Sequence, residues 1–434
     1  MLLLLPISAL AATLQVGPDK PYATPCAAAA AVQDGDTVEI DAGTYTGDVC
    51  AWTADGLTLR GVGGFARLDA AGAAAQGKAI WVIQGDDTTI EWIEFTGATV
   101  PDQNGAGIRQ EGTHLTVRHC YFHDNENGIL AGDNPASDIV VTDSEFADNG
   151  YGDGQSHNLY INHVRSLTFQ FNHSYHANKG HTLKSRAAAT WVLYSRLTDE
   201  ADGQGSYQVD LPNGGFAVVL GNVIQQGPAA ENGGMVSFAA EGATNPEQAL
   251  YVVNNTFVND RGSGTFVRNA STVDAVVVNN LFVGGGTALD GPGAPLTCLE
   301  TDDAGFVDAA GANYSLAAGA AAIDAGSDPG SVGDASLWPA WHPGGAARPV
   351  VGAIDVGAYE FGVAEPDTGG DSGSGDSGDS GDSGDTDSAP DTATDIDAPA
   401  VGCGCTTGTG APALTLLGVL VALGARRRGR ATAR

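Results

Sequence analysis

The sequence predicts an all-β protein whose body is a right-handed parallel β-helix, a solenoid of stacked coils. One observation is a repeat with a period in the twenties and strand-like alternation of apolar and polar residues. A second is composition, since Gly supplies 62 of 434 residues and charged residues only 16%, which suits short strands joined by tight turns. A third is a row of amide side chains at one position of the repeat, which stacked coils would hydrogen-bond to one another.

Eight copies of the repeat align along the chain, with steps of 27, 24, 28, 23, 27, 33 and 25 residues. Each copy begins with aliphatic residues and has a marked residue at the fifth offset and another at the seventh. At the fifth offset, where we expect a ladder, stand Ile93, Cys120, Ser144, Asn172, Ser195, Asn222, Asn255 and Asn280. At the seventh offset stand Phe95, Phe122, Phe146, Ser174, Leu197, Ile224, Phe257 and Phe282. Leucine-rich repeats share a similar period, but they would place Leu where this chain has Val, Phe, Ile and Asn.

Four segments differ in composition. Residues 1–12 are an apolar run with a small-x-small ending, which predicts a signal peptide and export. The positive residues usual at the start of a signal peptide are missing, so a buried N-terminal strand is the alternative. Residues 13–364 are predicted to form the β-helix, and residues 365–401 a disordered linker rich in Asp, Ser and Gly that has too few apolar residues to build a core. Residues 402–434 are a sorting or anchor tail.

Net charge excludes some partners. The formal charge of the chain is −33, and residues 365–397 contribute ten Asp and one Glu to it. Removing that segment and the five Arg after Gly424 leaves 41 acidic and 14 basic residues, a net charge of −27 for the body. Such a surface repels polyanions, so neither nucleic acid nor an anionic membrane is an expected partner.

Three segments carry a resemblance to a known family. The stretch from Gly35 to Tyr45, the triplet Asn127-Gly128-Ile129 and the closing stretch from Gly352 to Glu360 resemble the bacterial right-handed parallel β-helix repeat proteins. The resemblance covers about residues 32 to 361 and implies the fold of the pectin lyase-like proteins. Lyases, hydrolases, epimerases and adhesins share this body, so the resemblance specifies the fold and leaves the activity open.

The C-terminal tail has a resemblance of its own. Cys403 and Cys405 precede the apolar stretch 411–425 and then Arg426-Arg427-Arg428, an order that resembles the myxosortase-type sorting tail called MYXO-CTERM. That resemblance implies cleavage near Cys403 or Cys405 by a sorting protease and display on the outer cell surface. Fifteen apolar residues fall short of the roughly 20 that span a bilayer, and a short membrane-inserted tail is the alternative.

The other cysteines concern the body. Six Cys in the chain are compatible with an oxidising compartment. Cys26 and Cys50 flank the first predicted strand and are candidates for a disulfide that closes the N-terminal end. Cys120 falls at an inward position and is expected to be a buried thiol, whereas the pairing of Cys298 stays open.

Basic residues cluster between positions 157 and 196, which hold five of the nine His and five of the body's 14 Lys and Arg. Stacked coils turn such a cluster into a patch, because residues one period apart become neighbours on the same sheet. Aligning the second strand of successive coils directs one column inward: Ile108, Ile129, Leu159, Leu183, Val209 and Val236. The next residue of each strand points outward and gives the column Arg109, Leu130, Tyr160, Lys184, Asp210 and Ser237, with Asn162 and Arg186 beside it.

This column predicts a site for an acidic polysaccharide. Cations bind uronate carboxylates, a Tyr stacks or donates a proton, and a Lys or His removes the proton beside the carboxylate, which is the chemistry of β-elimination. The candidate catalytic residues are Lys184, His157, Tyr160 and His181. The candidate substrate-binding residues are Arg186, Asp210, Asn162 and Arg109.

The segment from Gly180 to Ser185 resembles the Gly-x-x-x-Lys-Ser segment of alginate lyases and chondroitinase B, which implies that Lys184 is the base. The Arg that those enzymes carry one coil later is replaced by Asp210. Two alternatives stay open: a non-catalytic carbohydrate-binding or adhesive surface protein, and a uronate C5-epimerase, which Tyr151-Gly152-Asp153 before His157 loosely resembles. Catalysis requires His157 or His181 within hydrogen-bond reach of Tyr160 or Lys184 beside an open groove. No metal site is predicted from Cys and His spacing, although acidic loops favour Ca²⁺ as a cofactor that neutralises carboxylates.

Overall fold

The computed structural model describes residues 11–362. Within them the chain forms stacked coils, and the parallel strands of these coils make up three walls. A strand pairs in parallel with its counterparts in the coils before and after it, which confirms the predicted all-β parallel solenoid. The helix among the described residues is Pro25–Ala29, which starts at the capping hydroxyl of Thr24. Within the same residues, no helix has the length and apolar character needed to cross a bilayer.

We name the walls A, B and C, and walls A and B belong to one sheet of 21 strands. Wall A contains Thr13–Val16, Thr37–Thr46, Thr58–Asp69, Thr88–Glu91, Leu115–Arg118, Asn134–Thr142, Val164–Gln170, Ala189–Leu193, Phe216–Leu220, Ala249–Val253, Ala275–Val278 and Gly293–Leu296. Wall B contains Ile93–Thr96, Tyr121–His123, Glu145–Ala147, His173–Tyr175, Arg196–Thr198, Val223–Gln226, Thr256–Asn259, Leu281–Val283 and Leu299–Thr301. Wall C is a ten-stranded sheet of Cys50–Trp52, Ala79–Ile83, Ala106–Gln110, Asn127–Ala131, Leu159–Ile161, Leu183–Ser185, Val209–Leu211, Gly234–Phe238, Thr265–Asn269 and Thr287–Asp290.

Two antiparallel hairpins follow the coils: Phe306–Asp308 with Asn313–Leu316, and Ser331–Val332 with Ala335–Ser336. The chain then packs against the outside of wall B, where Tyr314 and Val356 join an apolar cluster with wall residues such as Leu281. The predicted linker, the sorting tail with Cys403 and Cys405, and residues 1–10 of the predicted signal peptide lie outside the described residues.

The predicted ladder runs along the corner between walls A and B. Asn222 donates from its backbone N–H and from its amide to Asn255 Oδ1, both at 2.9 Å, and Asn255 donates in the same way to Asn280 Oδ1 at 2.9 and 3.0 Å. Side-chain oxygens of Ser144, Asn172, Ser195 and Asn222 continue the same bonding in earlier coils. Cys298 extends the ladder by one coil, because its sulfur accepts from Asn280 N at 3.3 Å.

The seventh-offset residues fill the core. The Phe95, Phe122 and Phe146 rings stack with centroid separations of 4.9 and 4.8 Å and interplanar angles of 6°. These separations equal the roughly 4.8 Å rise between adjacent strands of a sheet, so each ring lies directly over its counterpart. Packing and backbone pairing therefore impose the same register.

The sulfur atoms of Cys26 and Cys50 are bonded and join the helix to the first strand of wall C, while Cys120 is a buried free thiol. The Asn-Gly-Ile triplet, which begins at Asn127, starts a strand of wall C. Gly128 is required there because a Cβ would lie 2.4 Å from the Asn158 carbonyl oxygen.

Replacing Asn255 by Leu tests the ladder. The variant removes the acceptor for two Asn222 donors and the amide that donates to the Val219 carbonyl at 2.8 Å, all in a buried corner. We expect a loss of at least about 3 kcal/mol in the free energy of unfolding, measured by denaturant titration. Asn178→Leu is the control, because this exposed side chain makes one hydrogen bond and its loss should stay within about 0.5 kcal/mol. Equal losses in the two variants would contradict the role of the ladder.

Candidate functional site

The predicted outward column is present on wall C. Tyr160 pairs with Lys184 and Lys184 with Asp210 in the strand register, and Asp210 pairs with Ser237 in the next coil. Each of these strands also turns a fully buried aliphatic residue inward, and these are Leu159, Leu183, Val209 and Val236. The alternation of inward and outward residues in three-residue strands is therefore what brings Tyr160, Lys184 and Asp210 into one row.

Two cations of this row share one carboxylate. Lys184 Nζ lies 3.4 Å from Asp210 Oδ2 and 3.6 Å from Glu241 Oε1. The Arg186 guanidinium donates to Glu241 Oε2 at 2.7 Å, to Asn213 Oδ1 at 2.6 Å and to the Tyr160 hydroxyl at 2.9 Å. Both cations also lie within 6 Å of the Tyr160 ring centroid, at 5.7 and 5.9 Å. Glu241 thus bridges the two cations above the Tyr160 ring.

Sequence reasoning missed Glu241 and Asn213. Glu241 lies in the loop that follows the strand Gly234–Phe238, far from Arg186 in the chain and outside the repeat pattern. The loop is fixed over wall C by backbone and side-chain bonds, among them Glu241 N to the Pro212 carbonyl at 2.9 Å and Asn245 Nδ2 to the Ala187 carbonyl at 2.9 Å. The inserted loop makes the coil step of 33 residues the longest of the series, which is the one signal that pointed to it.

The Asp210 and Glu241 carboxylates differ in their exposure to solvent. The Asp210 side chain is 5% exposed and burial raises its pKa, whereas the Glu241 side chain is 50% exposed. Partial burial acts against the charged form of Glu241, but the hydrogen bond from Arg186 and the charge of Lys184 outweigh it, so the pKa of Glu241 is lowered. Asp210 is a buried partner of Lys184, while Glu241 is a carboxylate that solvent and solutes can reach.

The imidazoles of His157 and His181 belong to a second ladder beneath this row. His157 N donates to Asn127 Oδ1 at 2.9 Å, His181 N donates to His157 Nδ1 at 3.0 Å, and Tyr207 N donates to His181 Nδ1 at 3.1 Å. The two imidazole rings stack with centroids 4.6 Å apart. Each Nδ1 lone pair therefore accepts a backbone N–H from the next coil, as the Asn127 amide oxygen does, and each ring carries its proton on Nε2.

Burial keeps both imidazoles neutral. Desolvation, together with the charge of Lys184, lowers the pKa of His181 to about 3 and places that of His157 well below its ordinary value. His181 Nε2 lies 3.5 Å from Asp210 Oδ2, and the His157 ring meets the Tyr160 ring edge-on at 5.6 Å. Neither ring keeps a lone pair for proton abstraction, so the geometry gives both a positioning role in place of proton transfer.

The remaining predicted residues lie apart from Lys184. Arg109 is two coils away from Tyr160, with Leu130 between them, and lies 3.9 Å from Glu111 Oε1. Asn162 turns back to accept from its neighbour His163 N at 2.9 Å. Among residues 11–362, no group of three or more His, Cys, Asp or Glu side chains is arranged to hold a metal ion, and the expectation of Ca²⁺ stays a prediction.

Two substitutions of His181 test whether its side chain is needed as the acceptor for the Tyr207 N–H. Asn places its amide oxygen where Nδ1 lies, as Asn127 does two coils earlier, so His181→Asn should retain most of the stability. Leu leaves the Tyr207 N–H without an acceptor, and His181→Leu should lose about 1–3 kcal/mol in the free energy of unfolding.

The low pKa of His181 also predicts how stability depends on pH. A folded pKa of about 3 lies below the unfolded value near 6.5, so the stability associated with His181 is complete above pH 6.5 and falls as the pH drops towards 3. Denaturant titrations between pH 7 and 4 should therefore show a shallower acid loss for His181→Asn than for the wild type. An identical pH slope would contradict the neutral, buried imidazole.

Comparisons with known proteins agree with this fold. Residues 44–222 match the family model described as the right handed beta helix region. The crystal structure of pectate lyase Pel9A superposes with a TM-score of 0.59 at 16% sequence identity, covering 80% of this chain and 96% of that chain. A search of curated proteins gives no match.

Two other structures superpose more weakly. A pectin methylesterase from Aspergillus niger gives a TM-score of 0.30 at 14% identity, covering 68% of this chain and 85% of that chain. The alginate lyase AlyGC of family PL6 gives a TM-score of 0.29 at 14% identity, covering 63% of this chain and 48% of that chain. The family match and the pectate lyase superposition establish that the body of this chain is a right-handed parallel β-helix.

Proposed function

We propose that this chain binds an acidic polysaccharide along wall C, with a uronate carboxylate held between Lys184 and Arg186 above the Tyr160 ring. The observation that carries the proposal is the position of Glu241. Its half-exposed carboxylate already bridges the two cations at 3.6 and 2.7 Å, which supports a carboxylate ligand at this place. A uronate arriving from solvent would replace Glu241 and take over both contacts.

The chemistry of the two cations fits this role. Arg186 is fixed by Tyr160 and Asn213, so its planar guanidinium is oriented before a ligand arrives. Lys184 lies between a buried carboxylate, Asp210, and a solvent-accessible one, Glu241, and a lysine side chain in this position makes charge-assisted contacts with anions. Because the body carries a net negative charge, most of its surface repels an acidic ligand. The patch with Lys184 and Arg186 is where such a ligand is attracted.

The fold comparison supports the same class of ligand. Pectate lyase Pel9A has the most extensive overlap among the structures described above, and pectate is a polyuronate. Since that likeness concerns the fold, the residues of wall C carry the proposal.

A second candidate is β-elimination of the bound polyuronate. In that reaction a base removes the proton beside the carboxylate, its electron pair forms a carbon–carbon double bond, and the glycosidic carbon–oxygen bond breaks as its oxygen takes up a proton. In this scheme the Tyr160 hydroxyl, which receives a hydrogen bond from Arg186 and retains its own proton, is the acid, and a deprotonated Lys184 is the base that the Gly180–Ser185 segment implies. His157 and His181 act in this scheme by positioning Asp210 and the coil. Lys184 Nζ faces the Asp210 and Glu241 carboxylates, an arrangement of the kind that holds anions, so binding is the function that the geometry supports best.

We further propose that this binding takes place outside the cell. The apolar start of the chain and the tail with Cys403 and Cys405 support export and display on the outer surface. The acidic segment 365–401 between body and tail is suited to hold the body away from that surface.

Incubation with alginate, polygalacturonate and glycosaminoglycans tests both candidates. Affinity electrophoresis measures binding, and ultraviolet absorbance of unsaturated uronates measures elimination. The double variant Lys184→Ala/Asp210→Asn should bind at least tenfold more weakly than the wild type, since it loses a charge-assisted contact of about 1.5–3 kcal/mol. Asp210→Asn alone is the control, because it retains Lys184 and avoids an unpaired buried carboxylate.

Each outcome distinguishes the candidates. Binding with a rise in absorbance that the double variant abolishes supports elimination, and binding without absorbance supports a non-catalytic protein. Retardation by none of the polymers would refute the proposal.

Glu241→Gln tests the exchange of carboxylates. Removing the charge weakens the internal competitor while leaving both cations in place, so affinity for the retained polymer should rise about three- to tenfold, in titrations at low salt. Glu247→Gln is the matched control, because this exposed residue of the same loop makes the same change in net charge away from the site. An equal gain in both variants would indicate a general charge effect instead of competition at Lys184 and Arg186.

A further inference from the structure

A column of residues lines the corner between walls A and B, one position before each ladder residue. Most of its members have left-handed backbone, including Trp92, Asp143 and Tyr194 with φ of 58°, 50° and 49°. Gly221, Asn254 and Asn279 hold the same position in later coils, and these residue types tolerate that backbone. We call this row the corner column: Phe65, Trp92, His119, Asp143, Phe171, Tyr194, Gly221, Asn254, Asn279 and Thr297.

Aromatic residues in this column are unexpected. A bulky side chain in the left-handed region costs roughly 1–2 kcal/mol relative to the right-handed one. At Phe171 and Tyr194 the C-terminal segment covers the rings: Trp341 meets Phe171 edge-on at 5.8 Å, and the Tyr194 hydroxyl accepts from Ala340 N at 3.3 Å. Packing against the protein's own chain accounts for these two rings.

The other end of the column is uncovered. Phe65 is 39% exposed and Trp92 42% exposed. Their rings lie 5.6 Å apart, and Trp92 stacks on the His119 ring at 4.8 Å. Two large apolar side chains and a third ring thus form a continuous exposed platform, with left-handed backbone at Trp92 and His119. No segment of residues 11–362 lies over this platform as Trp341 lies over Phe171.

The platform forms one side of a groove of about 380 Å³, within the range of small-molecule sites. Tyr121, Glu145 and His173 of wall B line the opposite side, and Gly344 of the C-terminal segment lies at one end. One side is therefore aromatic and the other carries hydroxyl, carboxylate and imidazole groups. A sugar ring has matching surfaces, with an apolar C–H face and hydroxyl groups around its edge.

Charge decides which sugars fit. Among the described residues that line the groove there is no Lys or Arg, whereas Asp143 and Glu145 contribute two carboxylates. Burial lowers the pKa of His173 to about 3, so this imidazole adds no positive charge. The groove therefore disfavours polyuronates, in contrast to the row at Lys184, which lies on wall C.

We infer that the groove along Phe65, Trp92 and His119 is a second carbohydrate-binding site, which takes a neutral polysaccharide by stacking sugar rings on Phe65 and Trp92. Glu145, which accepts from the Tyr175 hydroxyl at 2.7 Å, and Asp143 serve as acceptors for sugar hydroxyl groups. The site is independent of the proposed uronate site. A chain with both would bind two classes of polysaccharide on different faces.

Affinity electrophoresis of the full chain in gels that contain soluble β-glucan, galactomannan or xylan tests this inference, with polygalacturonate and chitosan as charged probes. The wild type should be retarded by at least one neutral polymer, and Trp92→Asn should weaken that binding roughly tenfold, equivalent to about 1.4 kcal/mol. Asn is chosen because Asn254 and Asn279 show that it fits this backbone, so the variant removes the ring without adding strain. Trp338→Ala is the matched control, because this exposed indole lies outside the groove.

The uronate site is monitored in the same gels. Lys184→Ala/Asp210→Asn should retain neutral binding, so failure of one site is distinguishable from failure of the other. Retardation by no neutral polymer, retardation by charged probes only, or equal affinity of Trp92→Asn and the wild type would each overturn the inference.

Discussion

The structure depends on one constraint: at two corners of the coil, a backbone N–H that leaves the strand pairing must find an acceptor in the next coil. Side chains supply it. Asn, Ser and Cys do so between walls A and B, and Asn127, His157 and His181 do so beside wall C. Since an unpaired buried N–H costs about 1–3 kcal/mol, these residues fix the register to within one residue. This register determines which outward side chains become neighbours on each wall.

The candidate site is a direct consequence. In-register stacking places Lys184 between Tyr160 and Asp210 independently of any attraction between their side chains. The cluster is then balanced, with two cations against Asp210 and Glu241. Since both cations already have carboxylate partners, an external anion binds here by exchange with the solvent-accessible Glu241.

The sequence was sufficient for whatever the repeat controls. The fold, the ladder from Cys120 to Asn280, the stacked Phe residues and the outward row of wall C all follow from a period and an alternation. What escaped prediction lies outside the period. Glu241 comes from an inserted loop, and the return of the C-terminal segment over Tyr194 is a long-range contact without a local pattern. His157 and His181 were predicted as proton-transfer groups because residue type suggested it, and their ladder role becomes evident only when the acceptor of each backbone N–H is known. The corner column was visible one residue before each ladder position, where Trp92 and Phe171 stand in place of Asn or Gly.

The most direct measurement is a crystal structure of the chain with a bound oligouronate. We expect a uronate carboxylate within hydrogen-bond distance of Lys184 Nζ and the Arg186 guanidinium, with the sugar over the Tyr160 ring and the Glu241 side chain turned into solvent. A bound oligouronate located elsewhere, with Glu241 still bridging Lys184 and Arg186, would contradict it.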